Sequence, residues 1–310
     1  ANPDGEGSPY GESFELANKA AGLDLSGAIA IMHGAQSELG QAEQLHVSLQ
    51  ALVDHLGFRV QVMTLLPLGD GSLKVGSDDA CTTLPHGGFD DTEKELNGRM
   101  AKVAKSMGLA AHEIKVGSAT VELHFGADVE CHLDKDGKAR VLDTARVFPP
   151  ENPCDKGLIV PPVPGHLSIY WRLLRPELID AFVARYPDKP LSSDGFSRFA
   201  AQGKDSKEHN KRVGLATSFL MDEQVPLAAR ALLRERGDWW AAGSKVVTRI
   251  LHAHGVNMRH AGAVWTLLVP TMLLATVLIV GCFRCAAPCI RCIATMERIG
   301  FNGALPVLPC

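Results

Sequence analysis

The sequence predicts an α+β fold, with antiparallel hairpins in the first half and a mainly helical second half. Apolar and polar residues alternate in the first half, as at Val121, Leu123 and Phe125, which is the period of a half-buried strand. The second half carries helix-start signals ahead of apolar residues, and the chain lacks the strand–helix alternation of doubly wound folds. With 310 residues, 46% of them hydrophobic and 21% charged, it can bury a substantial core.

Charge is divided unevenly along the chain. Residues 1–155 carry 12 basic and 24 acidic side chains, and residues 156–310 carry 19 and 11, so charges of −12 and +8 give the net −4. A polyanion would be attracted to the second half, although one domain docking on another would produce the same asymmetry. The sequence therefore predicts a flexible leader (1–12), a strand-rich acidic half (13–155), a helical basic half (156–263) and a hydrophobic, cysteine-rich tail (264–310).

The first half contains signals for one hairpin and one helix. Alternation over residues 58–64, a turn at residues 69–71 and a short apolar run at 73–75 predict an antiparallel hairpin. Thr92 with Glu95 three residues later fits a capping box, which predicts a helix with an apolar stripe.

The second half has three helix starts. Pro176 and Pro226 each suit the first position of a helix, and Ser244 suits an N-cap. The polar stretch over residues 191–211 is predicted to be a loop.

Residues 128–151 carry the most information. Asp136-Gly137 lies between two short apolar runs and predicts a hairpin turn, because glycine supplies the positive φ that such turns need. The hairpin would bring Glu130 near Asp143, and clustered acidic and imidazole groups are typical ligands of hard cations. The candidate motif or ligand-binding residues are Asp128, Glu130, His132, Asp136, Asp143 and Arg146.

This segment resembles the signature of the Clu domain of the clustered mitochondria family. In that signature Asp-(Ile/Val)-Glu-Gly-His-Leu-Gly is followed by Asp-Gly and then by Leu-Asp-x-Ala-Arg-x-Phe-Pro-Pro-Glu. Cys131 and Asp134 replace two of its glycines, and Lys138 replaces an arginine. Five further pieces are similar to family elements and occur in the same order, at residues 51–60, 75–79, 173–178, 191–194 and 254–260.

The resemblance implies a non-catalytic cytoplasmic protein, without a cofactor, that is required for normal mitochondrial distribution and biogenesis. The implied partners are messenger RNAs encoding mitochondrial proteins, and the ribosome or the translation initiation machinery. The absence of a signal peptide from the sequence also favours the cytoplasm.

The sequence itself contributes a basic cluster to this hypothesis. Cationic side chains neutralise phosphates, and the nearby Trp239 and Trp240 would stack on exposed bases, although a solvated charged face is the alternative interpretation. The candidate RNA-binding residues are Arg198, Lys204, Lys207, Lys211 and Arg212.

Two other functions stay open. Glu130, Asp136-Gly137 and Asp143 have the spacing of the metal-binding hairpin of kinase-like folds, but Phe125 stands where the catalytic base would be, so only a degenerate nucleotide or metal binder is considered. Residues 265–283 are apolar enough for a single membrane span, which suggests a tethered adaptor. The tail cysteines that follow suit either zinc or palmitoylation: Cys282, Cys285, Cys289 and Cys292.

Overall fold

The computed structural model confirms the α+β class. Its contacts divide the chain into two compact units, residues 1–217 and 218–310, each of which is described by itself. The structure describes residues 14–76, 90–116, 119–153, 172–197, 203–235 and 244–269.

The first unit contains four helices and eight strands in its described part, and the unit boundary falls near the end of its fourth helix. In chain order these are α1 (Phe14–Glu38), β1 (Leu45–Val47), β2 (Gln50–His55), β3 (Phe58–Met63), β4 (Leu73–Val75), α2 (Asp91–Ser106), β5 (His112–Val116), β6 (Ala119–Leu123), β7 (Glu130–Leu133), β8 (Ala139–Leu142), α3 (Pro176–Arg185) and α4 (Ser206–Phe219). Two 3₁₀ turns lie at Gln41–Glu43 and Thr144–Arg146. The second unit contains a π-helical turn (Leu220–Gln224), α5 (Val225–Arg234), α6 (Ser244–Ala253), a 3₁₀ turn (Met258–His260) and helical residues 261–269.

The central sheet has the strand order β1-β8-β7-β4. Its core is the predicted β7–β8 hairpin, in which Glu130 pairs with Leu142 and Leu133 pairs with Ala139. Gly137 has φ of +74° in the connecting turn, which confirms the role inferred for Asp136-Gly137. β4 joins β7 antiparallel, and β1 joins β8 parallel.

The predicted pairing of residues 58–64 with residues 73–75 is wrong. β3 pairs instead with β2, because Leu56 and Gly57 both adopt positive φ and make a tight turn between these two strands. The turn at residues 69–71 leads into β4, whose partner β7 lies far along the chain. The short turn at Leu56-Gly57 therefore sets the partner of β3, and the turn at residues 69–71 does not.

Two helices, α1 and α2, also lie in the first half, and α2 is the helix that the capping-box signal predicted there. α1 is 25 residues long and approaches the Thr144–Arg146 turn closely. The Thr144 hydroxyl donates to the Asp24 carbonyl oxygen at 2.6 Å, and the Thr144 amide donates to the Asp24 carboxylate at 2.8 Å. A Cβ on Gly27 would lie 2.0 Å from the Thr144 carbonyl oxygen, so this contact requires glycine.

The helix at residues 91–106 begins two residues earlier than predicted. Its capping box is formed by Asp90 and Glu93, not by Thr92 and Glu95. The Asp90 carboxylate accepts from the Glu93 amide, and the Asp90 amide donates to the Glu93 carboxylate, each at 2.8 Å. The predicted apolar stripe is buried, which confirms that this helix packs on the core.

The second half agrees with the predictions at Pro176, which lies in the first turn of α3. The loop predicted over residues 191–211 is shorter, because α4 begins at Ser206. Pro226 lies in the first turn of α5, as predicted, but α5 continues directly from the π-helical turn before it. Ser244 is the first residue of α6 and not a residue before it.

Candidate functional site

The structure places four of the six candidate hairpin residues in two separate groups and leaves the other two outside both groups. Glu130 and His132 lie on β7 and face a side chain at the edge of β4. Asp128 and Arg146 lie beside a buried aspartate from the segment at residues 191–194. Asp136 is exposed in the turn, and Asp143 follows the end of β8.

The first group is a chain of hydrogen bonds across two strands. Glu130 Oε2 lies 2.9 Å from His132 Nε2, and His132 Nδ1 lies 3.0 Å from Ser72 Oγ. A carboxylate only accepts, so His132 Nε2 is the donor in its bond to Glu130. Glu130 and His132 are two residues apart on one strand and therefore share a face, and His132 pairs in register with Leu73 beside Ser72. These bonds link β7 to the residue that precedes β4.

Asp134 organises the hairpin turn. Its buried carboxylate accepts from the amides of Asp136 and Lys138 and from Arg140 Nε, at 2.9, 2.8 and 2.7 Å. Burial alone would raise the pKa of Asp134, but these donors outweigh it and hold that pKa below its usual range. The side chain that replaces a glycine of the family signature therefore fixes the conformation of the turn.

Cys131, the other replacement, is part of the core. It is fully buried, and burial raises the pKa of its thiol to about 12. A thiol that stays protonated at neutral pH is a poor metal ligand and a poor nucleophile.

The described residues do not provide the metal centre that a kinase-like site would need. Asp143 adopts a left-handed conformation, with φ of 51°, as it begins the 3₁₀ turn, and Glu130 is bonded to His132. In the described part of the chain no group of three or more His, Cys, Asp or Glu side chains is placed to hold a metal ion.

The second group is a buried ion pair between Arg146 and Asp194. Arg146 Nη2 bonds Asp194 Oδ1, and Arg146 Nε lies 3.5 Å from Asp128 Oδ1. His112 Nε2 and the Ala127 amide both approach Asp194 Oδ2, at 3.0 and 2.8 Å. Burial would raise the pKa of Asp194, but Arg146, His112 and the Ala127 amide outweigh it and lower that pKa to about 2.

This ion pair also lies next to the residues that hold α4 in place. The ring of His209 packs edge-on against the ring of His112, with centroids 6.3 Å apart, and His209 Nε2 bonds Asp205 at 2.9 Å. Further along α4, Asn210 accepts from the Phe196 amide at 2.7 Å, and Thr217 accepts from the Asn152 amide at 2.8 Å. One side of α4 is therefore fixed to the rest of the first unit at several points.

The other side of α4 carries the basic cluster. Lys207 and Lys211 are exposed and stand one helical turn apart, and the exposed Lys204 lies just before the helix. None of these three lysines has an ion-pair partner in the described part of the chain. Arg212 differs, because its Nε bonds Glu208 at 3.2 Å. We call Lys204, Lys207 and Lys211 the lysine face.

Other predicted residues fall outside the described ones. These are Arg198, Trp239, Trp240 and the tail cysteines. Of the proposed span at residues 265–283, only residues 265–269 are described, and they are helical. Within the described residues, no helix is both long enough and apolar enough to cross a membrane.

The sequence did not reveal three residues that contact the candidate site residues or hold α4. Ser72, His112 and His209 carried no signal of their own, because each is defined by a contact with a distant residue. The sequence pointed to Asp194 only as one residue of the segment at residues 191–194, which is similar to a family element.

Comparison with known proteins supports the resemblance seen in the sequence. A family model described as Clustered mitochondria matches residues 5–153, which include α1, the central sheet and the β7–β8 hairpin. No curated protein and no solved structure matches the chain. The match over residues 5–153, just under half of the chain, therefore supports the assignment of a Clu domain to this part of the sequence.

Proposed function

We propose that this chain is a non-catalytic, cytoplasmic Clu-domain protein that binds RNA through its lysine face. The RNA partners are messenger RNAs that encode mitochondrial proteins, bound either directly or together with the ribosome or the translation initiation machinery. Binding of such RNAs would connect the chain to mitochondrial distribution.

The observation that carries the proposal is the lysine face. Three exposed ammonium groups within eight positions, unpaired among the described residues, form a local positive site on a chain whose net charge is −4. Each lysine that contacts a phosphate releases condensed counterions from the nucleic acid, so three such contacts contribute appreciably to binding at moderate salt.

The anchoring of α4 supports a binding role. A helix held by the contact of His209 with His112 and by the bonds of Asn210 and Thr217 presents its lysines in a fixed arrangement, which lowers the entropic cost of binding. The neighbouring Glu208 carboxylate is engaged by Arg212, so it does not neutralise the lysine face fully.

The arrangement of the carboxylates supports a role other than catalysis. Asp194, Asp134 and Glu130 each bind protein groups at hydrogen-bond distance. These contacts tie segments of the fold together, which is the usual role of satisfied buried polar groups.

The test compares two triple variants of the full chain that remove the same charge. Lys204, Lys207 and Lys211 are changed to Ala in one, and the exposed Lys94, Lys135 and Lys138 are changed to Ala in the other. Binding of a labelled single-stranded RNA pool is measured between about 50 and 200 mM salt.

We expect the first variant to bind more weakly and to lose roughly two units from the slope of log K against log salt, since each single-strand phosphate contact contributes about 0.7. The control variant should keep most of the wild-type affinity. Equal losses in both variants, or no RNA binding by the folded wild-type chain, would overturn the proposal.

A further inference from the structure

The β2–β3 hairpin presents an apolar face to solvent. Opposite residues in this hairpin are Ala51 and Val62, Val53 and Val60, and His55 and Phe58. The ladder continues to Leu49, whose carbonyl oxygen accepts from the Thr64 amide at 3.0 Å, so Leu49 lies on the same face. We call this surface the hairpin face, formed by Leu49, Ala51, Val53, Phe58, Val60 and Val62.

The exposure of this face is large for apolar side chains. Leu49 is 77% exposed, Phe58 is 72% exposed, and the three valines are each about half exposed. Leu56, in the turn at the end of the hairpin, is 84% exposed.

The opposite face of the hairpin is mostly polar, although it also carries Leu52 and Met63, and its polar side chains reach α1. Gln61 Nε2 donates to the Asp24 carboxylate at 2.8 Å, and Arg59 Nη1 donates to the Asn18 carbonyl oxygen at 3.3 Å, so these side chains reach α1. Arg59 also bonds Asp54, with Nε to Oδ1 at 2.7 Å. A half-covered sheet ordinarily turns its apolar side inward, and here the polar side is turned towards α1.

The size of the hairpin face suits an interface with a second copy of this chain. Together with Leu56, it presents on the order of 700 Å², more than the roughly 300–600 Å² of the largest apolar patch on a typical monomer. Two such faces would bury close to the ~1,600 Å² of a standard-size interface.

The charge distribution of the hairpin also favours a second copy of this chain as the partner. Within the described β2–β3 hairpin, His55, which pairs with Phe58 at the edge of the hairpin face, is the one titratable side chain on that side, and the charged Arg59 and Asp54 lie on the other side. Two copies would therefore meet without like-charge repulsion, whereas a nucleic acid or a strongly charged peptide would find no complementary charge there.

We propose that two copies of the chain associate by packing their hairpin faces against each other about a twofold axis. The interface is isologous, with the same residues contributed by each copy. The Val53–Val60 pair lies near its centre, and Leu49 and Phe58 lie towards its two ends. This proposal is independent of RNA binding and of the lysine face.

The first experiment measures the mass of the full chain by sedimentation velocity from about 1 to 100 µM, a range that spans micromolar dissociation constants. Val60→Lys is compared with Ile29→Lys as a control. Ile29 is a 46% exposed apolar residue of α1, so the control makes a similar substitution outside the hairpin face. We expect dimers for the wild type and for Ile29→Lys, and at least a tenfold weaker dimer for Val60→Lys. A wild-type monomer over the whole range, or equal effects of the two variants, would overturn the proposal.

A second experiment does not depend on the stability of a charged variant. A photoreactive benzoylphenylalanine replaces Phe58 in the full chain, and the crosslinked peptides are identified by mass spectrometry. The proposal predicts adducts between two chains that map to residues 49–64 of the second copy. Adducts confined to another segment of the same chain would show that the chain covers its own hairpin face, and would contradict the proposal.

Discussion

Arg146 and Asp194 form an ion pair whose side chains are almost completely buried. The two residues are 48 positions apart, and the pair joins the turn after the β7–β8 hairpin to a segment beyond the residues matched by the family model. His112 bonds the same carboxylate, so Asp194 holds together β5, the hairpin and its own loop. The part of the chain matched by the family model is therefore held in place by a residue that lies after position 153.

The first prediction concerns the removal of one partner of this pair. Asp194→Ala leaves the Arg146 guanidinium buried without its carboxylate, which typically costs about 3–5 kcal/mol. The double variant Arg146→Met, Asp194→Leu should cost less than Asp194→Ala alone, because the buried guanidinium is removed together with its carboxylate. Urea unfolding of the full chain, followed by circular dichroism, measures both. A loss below about 1 kcal/mol for Asp194→Ala would show that the pair is not structurally important.

The second prediction concerns pH. Burial, with smaller contributions from Lys105 and His112, lowers the pKa of His124 to about 4, against 6.5 in the unfolded chain. Between these values the unfolded chain binds more protons, so stability should fall as the pH is lowered from 6.5 to 4. Urea midpoints at pH 7.0, 5.5 and 4.5 measure the fall, which should be smaller in His124→Gln. Identical pH profiles for the two proteins would rule out His124 as the cause.

The third prediction compares two glycines of α1. Gly27→Ala places a methyl group against the Thr144 carbonyl oxygen, and such overpacking should destabilise the chain by roughly 1–3 kcal/mol. Gly22→Ala meets only Arg59 Nη1, at 3.9 Å, and should stabilise the chain by about 0.5–1 kcal/mol because alanine favours the helix. Thermal or urea unfolding of the two variants should therefore shift in opposite directions. Shifts of the same sign and size would contradict the close packing of α1 on Thr144.

The fourth prediction concerns the reactivity of Cys131. Its thiol is buried and has a pKa of about 12, so iodoacetamide at pH 7.5 should leave it unmodified in the folded chain and modify it once urea unfolds the chain. Mass spectrometry of the digested protein locates the adducts. Modification of Cys131 as fast as in urea would show that the hairpin opens readily.

Local signals predicted those elements whose partners are close in sequence. Asp136-Gly137 specified the β7–β8 hairpin, and Pro176 marked the start of α3. Each of these two signals depends on the backbone preferences of a few adjacent residues, which can be read from the sequence alone.

Long-range pairings were not predictable in this way. The alternation at residues 58–64 indicated a strand but not its partner, and it gave no indication that the apolar side would face solvent. The parallel pairing of β1 with β8 and the bond between Ser72 and His132 likewise depend on tertiary packing. For the candidate site, the sequence showed that basic residues cluster near residue 207. It did not show that Arg212 is paired with Glu208 while the three lysines are not, because that depends on the conformation of α4.

RNA recognition by the lysine face is the central claim, and the most direct test is to map where RNA touches the full chain. RNA containing 4-thiouridine is crosslinked to the folded protein, and the modified peptides are identified by mass spectrometry. We predict adducts within residues 203–212, which should disappear in the variant lacking Lys204, Lys207 and Lys211. Adducts only at other segments, or adducts that persist unchanged in this variant, would contradict the claim.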